Sequence, residues 1–247
     1  MLAVPGAYQQ TPGGQSVPDT PQAQYIRLFG GVGDVKRFRA PPPPDAVILG
    51  YEEHVLEVKN LGARNGSTRT PYQTETAYFW RESSPIQWNR LAILVVRDKL
   101  RTNVVKSAKF YAQLSYALSN AAIASWDSRY FYNSWRPITA IRRTDMWLAS
   151  GKNVSGANWI PLLTPTPNHQ DYLSTHATFG GAAVAVIKAY NGGDIVNVSL
   201  SNNVTVDNVG VVTRRITNLT AAAYENGDSR VYGGVSDLVR FALGGRA

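Results

Sequence analysis

Arg129 and Arg136 bracket the run Arg-Tyr-Phe-Tyr-Asn-Ser-Trp-Arg, which Pro137 follows. Two guanidinium groups seven residues apart share a face if the backbone is helical, although Pro137 calls for a break just before it. A second segment, Asp171 to Gly181, carries Ser174-Thr175-His176 ahead of an apolar run. Ser174 reads as a helix N-cap, so the first-turn amides and the positive end of the helix dipole form an anion receptor. His176 in that turn offers a proton or a hydrogen bond, its ordinary pKa being about 6.5. A third segment, Gly227-Asp-Ser-Arg230-Val-Tyr-Gly-Gly234-Val-Ser236-Asp237, places one more arginine in a Gly-rich turn. Singly these are two surface arginines beside an aromatic cluster, a capped helix with an incidental histidine, and an arginine in a loop. Together they are what a tetrahedral oxyanion requires: bidentate donors, backbone amides and one acid or base.

Such parts act together only where helices bring them to one place. Apolar residues recur at three and four spacing through Pro85–Leu100 and from Val104 to about Asp127, and the second, Ala-rich run predicts a central, closely packed helix. Pro137 opens a helix to Ser150, and Thr175–Tyr190 follows the Ser174 cap. Within it Gly180-Gly-Ala-Ala183 lets a neighbouring backbone come close. Short helices are expected at Thr217–Asn226 and Asp237–Leu243, while valines alternating with polar residues near 194–212 predict a small hairpin or extended excursion. The summed reading is a mainly helical single domain over residues 46–247. Residues 1–45 end in Ala40-Pro-Pro-Pro-Pro44 and read as an extended Pro/Gly-rich arm, either a tether or a contact for self-association.

The chain has 247 residues, 44% hydrophobic and 17% charged, which excludes disorder of the whole. No apolar run approaches the length of about eighteen that would span a membrane. Without cysteine there is neither a disulfide nor a thiolate metal site, and no metal is expected. The net charge of +8 favours anionic partners. Its lysines and arginines are dispersed rather than striped, which argues against nucleic acid as such a partner. The opening residues lack the basic start and apolar core of a signal peptide. Five N-glycosylation sequons, at Asn65, Asn153, Asn197, Asn203 and Asn218, point instead to N-linked glycans and an extracellular or secretory-lumen history.

The order and spacing of the three segments resemble the superfamily of vanadium-dependent haloperoxidases and type 2 phosphatidic acid phosphatases, with its pattern Lys-x6-Arg-Pro, Pro-Ser-Gly-His and Ser-Arg-x5-His. Flanking residues are similar to the haloperoxidase-like branch: Arg69-Thr-Pro-Tyr-Gln-Thr-Glu-Thr-Ala-Tyr-Phe-Trp80, Ala121-Ala-Ile-Ala-Ser-Trp126, Trp135-Arg-Pro-Ile-Thr-Ala-Ile-Arg142, Trp159-Ile-Pro-Leu-Leu-Thr-Pro165 and Ser229-Arg-Val-Tyr-Gly-Gly234. The resemblance extends over roughly Ala40 to Gly244 and implies an all-α fold of packed helical bundles, the haloperoxidase-like fold, with vanadate or phosphate at the bundle centre. Arg136 and Arg230 would hold equatorial oxygens, Ser174 would add a hydroxyl, and His176 would be the acid/base. Arg129 stands where the family has Lys, which keeps charge and changes shape. Thr175 replaces a Gly whose amide touches the anion; the amide remains but a Cβ is added.

Six residues past Arg230 comes Ser236, where the family has the His that bonds vanadium or is phosphorylated. A hydroxyl without an adjacent base is a poor substitute. A short deletion that makes Asp237 a later family Asp has the same outcome, because no histidine follows His176. His169 lies in a stretch where the family often carries His without using it as the ligand, and His54 is an ordinary polar position. The expectation is a haloperoxidase-like domain with no resident cofactor, vanadate or phosphate being its possible guests. Having lost its covalent ligand, it would be a non-catalytic extracellular glycoprotein with a structural or self-assembly role. The alternative is an active or repurposed haloperoxidase- or phosphatase-type enzyme that binds the anion non-covalently. The family also has more helix ahead of the Pro-rich segment, so another chain completes the domain, the chain is a fragment, or it packs differently.

Overall fold

The computed structural model describes residues 5–44, 51–143, 151, 154–203 and 209–237. Among these, seven α-helices carry the fold: α1 Tyr51–Leu61, α2 Pro71–Phe79, α3 Ser84–Leu100, α4 Val104–Tyr132, α5 Pro137–Arg142, α6 Thr175–Asn191 and α7 Leu219–Tyr232. A two-stranded antiparallel sheet, β1 Ile195–Ser201 and β2 Thr213–Asn218, forms the predicted excursion, with Val198 opposite Ile216 and Ser201 opposite Thr213. The tail of the helix expected from Pro137 to Ser150 and nearly all of the one expected over Asp237–Leu243 lie outside the described residues. No described helix is long and apolar enough to cross a membrane.

Local chemistry sets the helix limits. Thr70 and Gln73 form a reciprocal capping box at the start of α2, and the Asn103 side chain accepts from the Lys106 amide at 2.8 Å to start α4. α4 runs five residues past Asp127 and ends where Asn133 turns left-handed, at φ 50°. α7 also outruns its expected end at Asn226, continuing through Gly227 to Tyr232. A helical glycine costs about 1 kcal/mol, and packing of α7 against α6 and α2 offsets it. The contact is close at Gly180, where a Cβ would meet the Ala223 Cβ at 3.2 Å. Arg230 therefore projects from a last helical turn, not from the Gly-rich turn expected there.

Two apolar cores flank the site. One joins α3, α4, α6 and α7 around Trp80, Trp88, Phe110 and Ile187; the other gathers Tyr51, Trp135, Ile141, Trp159 and Tyr172. At Gly62 and Gly234 the chain crosses itself so tightly that a Cβ on Gly234 would stand 2.5 Å from the Gly62 carbonyl oxygen. Gly234 also has φ 73°, which glycine adopts freely.

Residues 5–44 contain three short 3-10 turns and lie on the chain's own body. Arg39 grips Asp127 with two hydrogen bonds of 2.7 and 2.9 Å, and Tyr132 donates to the Ala40 carbonyl at 2.5 Å. Phe29 stacks on Tyr116, and Ala7 bridges to Ser134.

Candidate functional site

Four helix ends converge on one cavity of about 100 Å³. Arg129 comes from the last turn of α4, Arg136 from the N-cap position of α5, Ser174 from the N-cap position of α6, Thr175 and His176 from its first turn, and Arg230 from the last turn of α7. Ser236, just beyond α7, completes the wall, with His169. The three sequence segments thus meet. The two arginines of the first do so without sharing a helix: α4 has ended, and Trp135 donates its amide to the Gly6 carbonyl at 2.8 Å as the chain turns back. Asn65, Asn197 and Asn203 are exposed on the surface and Asn218 is half-buried, whereas Asn153 lies outside the described residues.

The arginines are buried, at 2% exposure for Arg129 and Arg136 and 8% for Arg230. Arg136 pairs with Asp171 at 2.9 Å and donates to the carbonyls of His169 and Val235, each at 2.7 Å. Among the described residues Arg230 has only neutral partners: the Ser229 hydroxyl at 3.0 Å and the carbonyls of Ala77 and Trp80 at 3.3 and 3.1 Å. Burial, and then repulsion from Arg81 and Arg136, pulls the Arg230 pKa down to about 9, still charged at neutral pH. Burial lowers Arg129 and Arg136 as well, with Arg136 repelling Arg129.

Ser174 stands at the N-cap of α6 but makes no side-chain capping bond there. The expected cap is thus positional only, and the first-turn amides remain for a ligand. Burial, then the Arg230 charge, holds His176 well below the usual imidazole range. Its Nδ1 lies 2.9 Å from the Ser84 Oγ and 3.0 Å from the Asn226 Oδ1. The Asn226 amide nitrogen donates to the His176 carbonyl at 3.3 Å, which turns Oδ1 toward the ring. Nδ1 therefore carries the proton, and Nε2 is the nitrogen left for the cavity.

Sequence reasoning singles out neither Ser84 nor Asn226; one lies 92 and the other 50 residues from His176, and only the packing of α3 and α7 against α6 joins them. His169, which sequence reasoning set aside only as a ligand, stands in the cavity wall. Its Nδ1 is 2.6 Å from Arg129 Nη1 and 2.9 Å from Arg136 Nη2. Burial, then the two guanidinium charges, holds it well below its usual pKa.

Behind Arg136, the Asp171 Oδ2 accepts from the Asp237 amide at 3.0 Å, and the Asp237 Oδ2 accepts from the Tyr51 hydroxyl at 2.9 Å. Burial, then the Asp171 charge, raises the Asp237 carboxyl well above the normal carboxylate range. Ser236 Oγ is buried without a hydrogen-bond partner among the described residues. No group of acidic, histidine or cysteine side chains suited to a metal ion occurs among the described residues.

Helix ends that present guanidinium groups and first-turn amides to one small cavity define a helical-bundle domain with a cationic pocket. Residues 109–236 match the model of the VCPO second helical-bundle domain, and the chain belongs to that family. It is 30% identical over 170 residues to the vanadium chloroperoxidase of Curvularia inaequalis, a match covering 59% of this chain and 27% of that protein. A bacterial vanadium-dependent iodoperoxidase structure superposes with a TM-score of 0.76 at 27% identity, over 97% of this chain and 56% of that one. A holo-type bacterial vanadium-dependent chloroperoxidase has the same fold, with a TM-score of 0.70 at 17% identity over 97% of this chain and 58% of that one. The chain thus spans little more than half the length of these structural relatives, and about a quarter of the fungal one.

Proposed function

We propose that the domain binds a tetrahedral oxyanion, phosphate or vanadate, non-covalently, and that it does not turn over as a haloperoxidase. Charge balance carries this reading. Among the described residues, three buried guanidinium groups meet one paired carboxylate, Asp171, while burial disfavours the charged forms of Asp237, His169 and His176. Buried charge without a counter-charge is expensive, and an anion in the cavity would relieve it. Arg129, Arg136, Arg230 and the first-turn amides of α6 would hold the oxygens.

Vanadate fits this donor set as an oxyanion, and when bound it would supply Lewis-acid chemistry. It does not fit as a centre anchored by imidazole at position 236, where a hydroxyl stands. Two measurements test the reading. Calorimetry should detect phosphate and vanadate binding that Arg230→Met weakens at least tenfold, and the protein given vanadate, peroxide and bromide should not oxidise the halide. Vanadate-dependent bromide oxidation would refute the non-catalytic reading, and absence of anion binding would refute the rest.

The exposed Asn65, Asn197 and Asn203 support an extracellular glycoprotein. Peptide mapping of protein made in a secretory host should find glycan on these three. A structural or self-assembly role is part of the same proposal. Much of the arm is engaged on α4 of its own chain, so self-association would draw on its exposed Tyr25, Ile26 and Val32.

A further inference from the structure

Arg129 and Arg136 both approach the Nδ1 of His169, and Arg136 Nη2 also lies 3.4 Å from its Nε2, the longer of its two contacts with the ring. Guanidinium groups cannot surrender a proton, so the Nδ1 that both approach, at 2.6 and 2.9 Å, must present its lone pair. The ring is then neutral with its proton on Nε2. The Gln170 carbonyl, 3.0 Å from the same Nδ1, is tolerated because Arg129 Nη1 donates to that oxygen too. One acceptor shared by two arginines is the coordination that an oxyanion oxygen takes from such a pair.

The backbone of His169 is pinned. Its carbonyl accepts from Arg136 Nε at 2.7 Å. The arm holds the neighbouring Asn168 through Tyr8, Val17 and Asp19, at 3.1, 2.8 and 2.7 Å. The imidazole leans on Trp126, ring centroids 5.0 Å apart.

We propose that His169 is an internal stand-in for the oxyanion: its Nδ1 occupies the inner donors of Arg129 and Arg136 and must yield them before phosphate or vanadate is held. This rests on the oxyanion reading above and adds a competitor built into the site. His169 is thus a specificity-determining residue that sets the affinity threshold for the anion.

The test compares phosphate affinity, by calorimetry at neutral pH, in the wild-type chain and in His169→Phe, which keeps a ring against Trp126 and removes the acceptor. Binding at least tenfold tighter in the variant is the expected result. Equal or weaker binding in the variant, with the wild type still binding, overturns the stand-in and makes His169 a bystander or a direct anion ligand. If neither protein binds phosphate, the oxyanion reading falls and the stand-in with it. A measurement on the wild type guards against a variant that fails to fold. Imidazole nitrogen NMR should show His169 protonated on Nε2 alone, with Nδ1 shifting as phosphate saturates the site. A proton on Nδ1, or a resonance unmoved at saturation, overturns the proposal.

Discussion

Asn226 contacts His176 twice, donating to its carbonyl at 3.3 Å and presenting Oδ1 to its Nδ1 at 3.0 Å. A neutral amide in this place fixes the tautomer but favours an imidazolium too weakly to offset burial and the Arg230 charge, and Ser84, the other neighbour of Nδ1, is neutral as well. Asn226→Asp should therefore raise the His176 pKa by roughly 1–3 units, as an ionised carboxylate at hydrogen-bond distance does. Proton NMR titration of the ring would read the shift. A change smaller than half a unit would mean that Asn226 does not control the ring.

Both cavity histidines give stability a dependence on pH with a definite sign. Their folded-state pKa values are depressed, so on acidification through about 6.5 the unfolded chain takes up protons first. The stability they contribute is complete above that value and lost as pH falls toward the folded-state values. Each histidine accounts for up to about 1.4 kcal/mol per pH unit in that window. Urea unfolding at a series of pH values should show a shallower acid slope for His169→Phe than for the wild type. Parallel slopes would rule out a titrating His169.

Arg136 and Arg230 are equally cationic but differently placed, and stability should separate them. Removing Arg136 strands the fully buried Asp171 and is expected to cost about 3–5 kcal/mol in Arg136→Met. Arg230→Met loses only neutral partners and relieves repulsion, so its cost should stay below about 2 kcal/mol. Both changes should weaken phosphate binding at least tenfold. Thermal unfolding and calorimetry on the two variants check the pair, and equal destabilisation would contradict the assigned ion pairing.

The helices were legible because their signals are local. Apolar spacing marks α3 and α4, and small residues mark the α6 face that takes Ala223. The arginine segments were legible as a set because an oxyanion demands those side-chain types. What could not be read depends on distant contacts. Gly227 looks like a breaker until α6 and α2 pack on α7, and that packing places Arg230 on a helix. His169 looks like a bystander because nothing local reveals that the turn after Tyr132 and the pinned 166–169 segment bring it between two arginines. Ser84 gives no sign of its contact with His176.

Ser236 is where stability and binding should move in opposite directions. Its hydroxyl is buried in the cavity wall without a partner, which by itself destabilises the fold. An incoming anion would supply the missing partner. Ser236→Ala should therefore leave the protein as stable as the wild type, or up to about 1 kcal/mol more so, while weakening phosphate binding severalfold. Chemical denaturation without phosphate and calorimetry with it give the two numbers. A variant that is clearly less stable and binds phosphate as well as the wild type would show that the hydroxyl serves packing and not the anion.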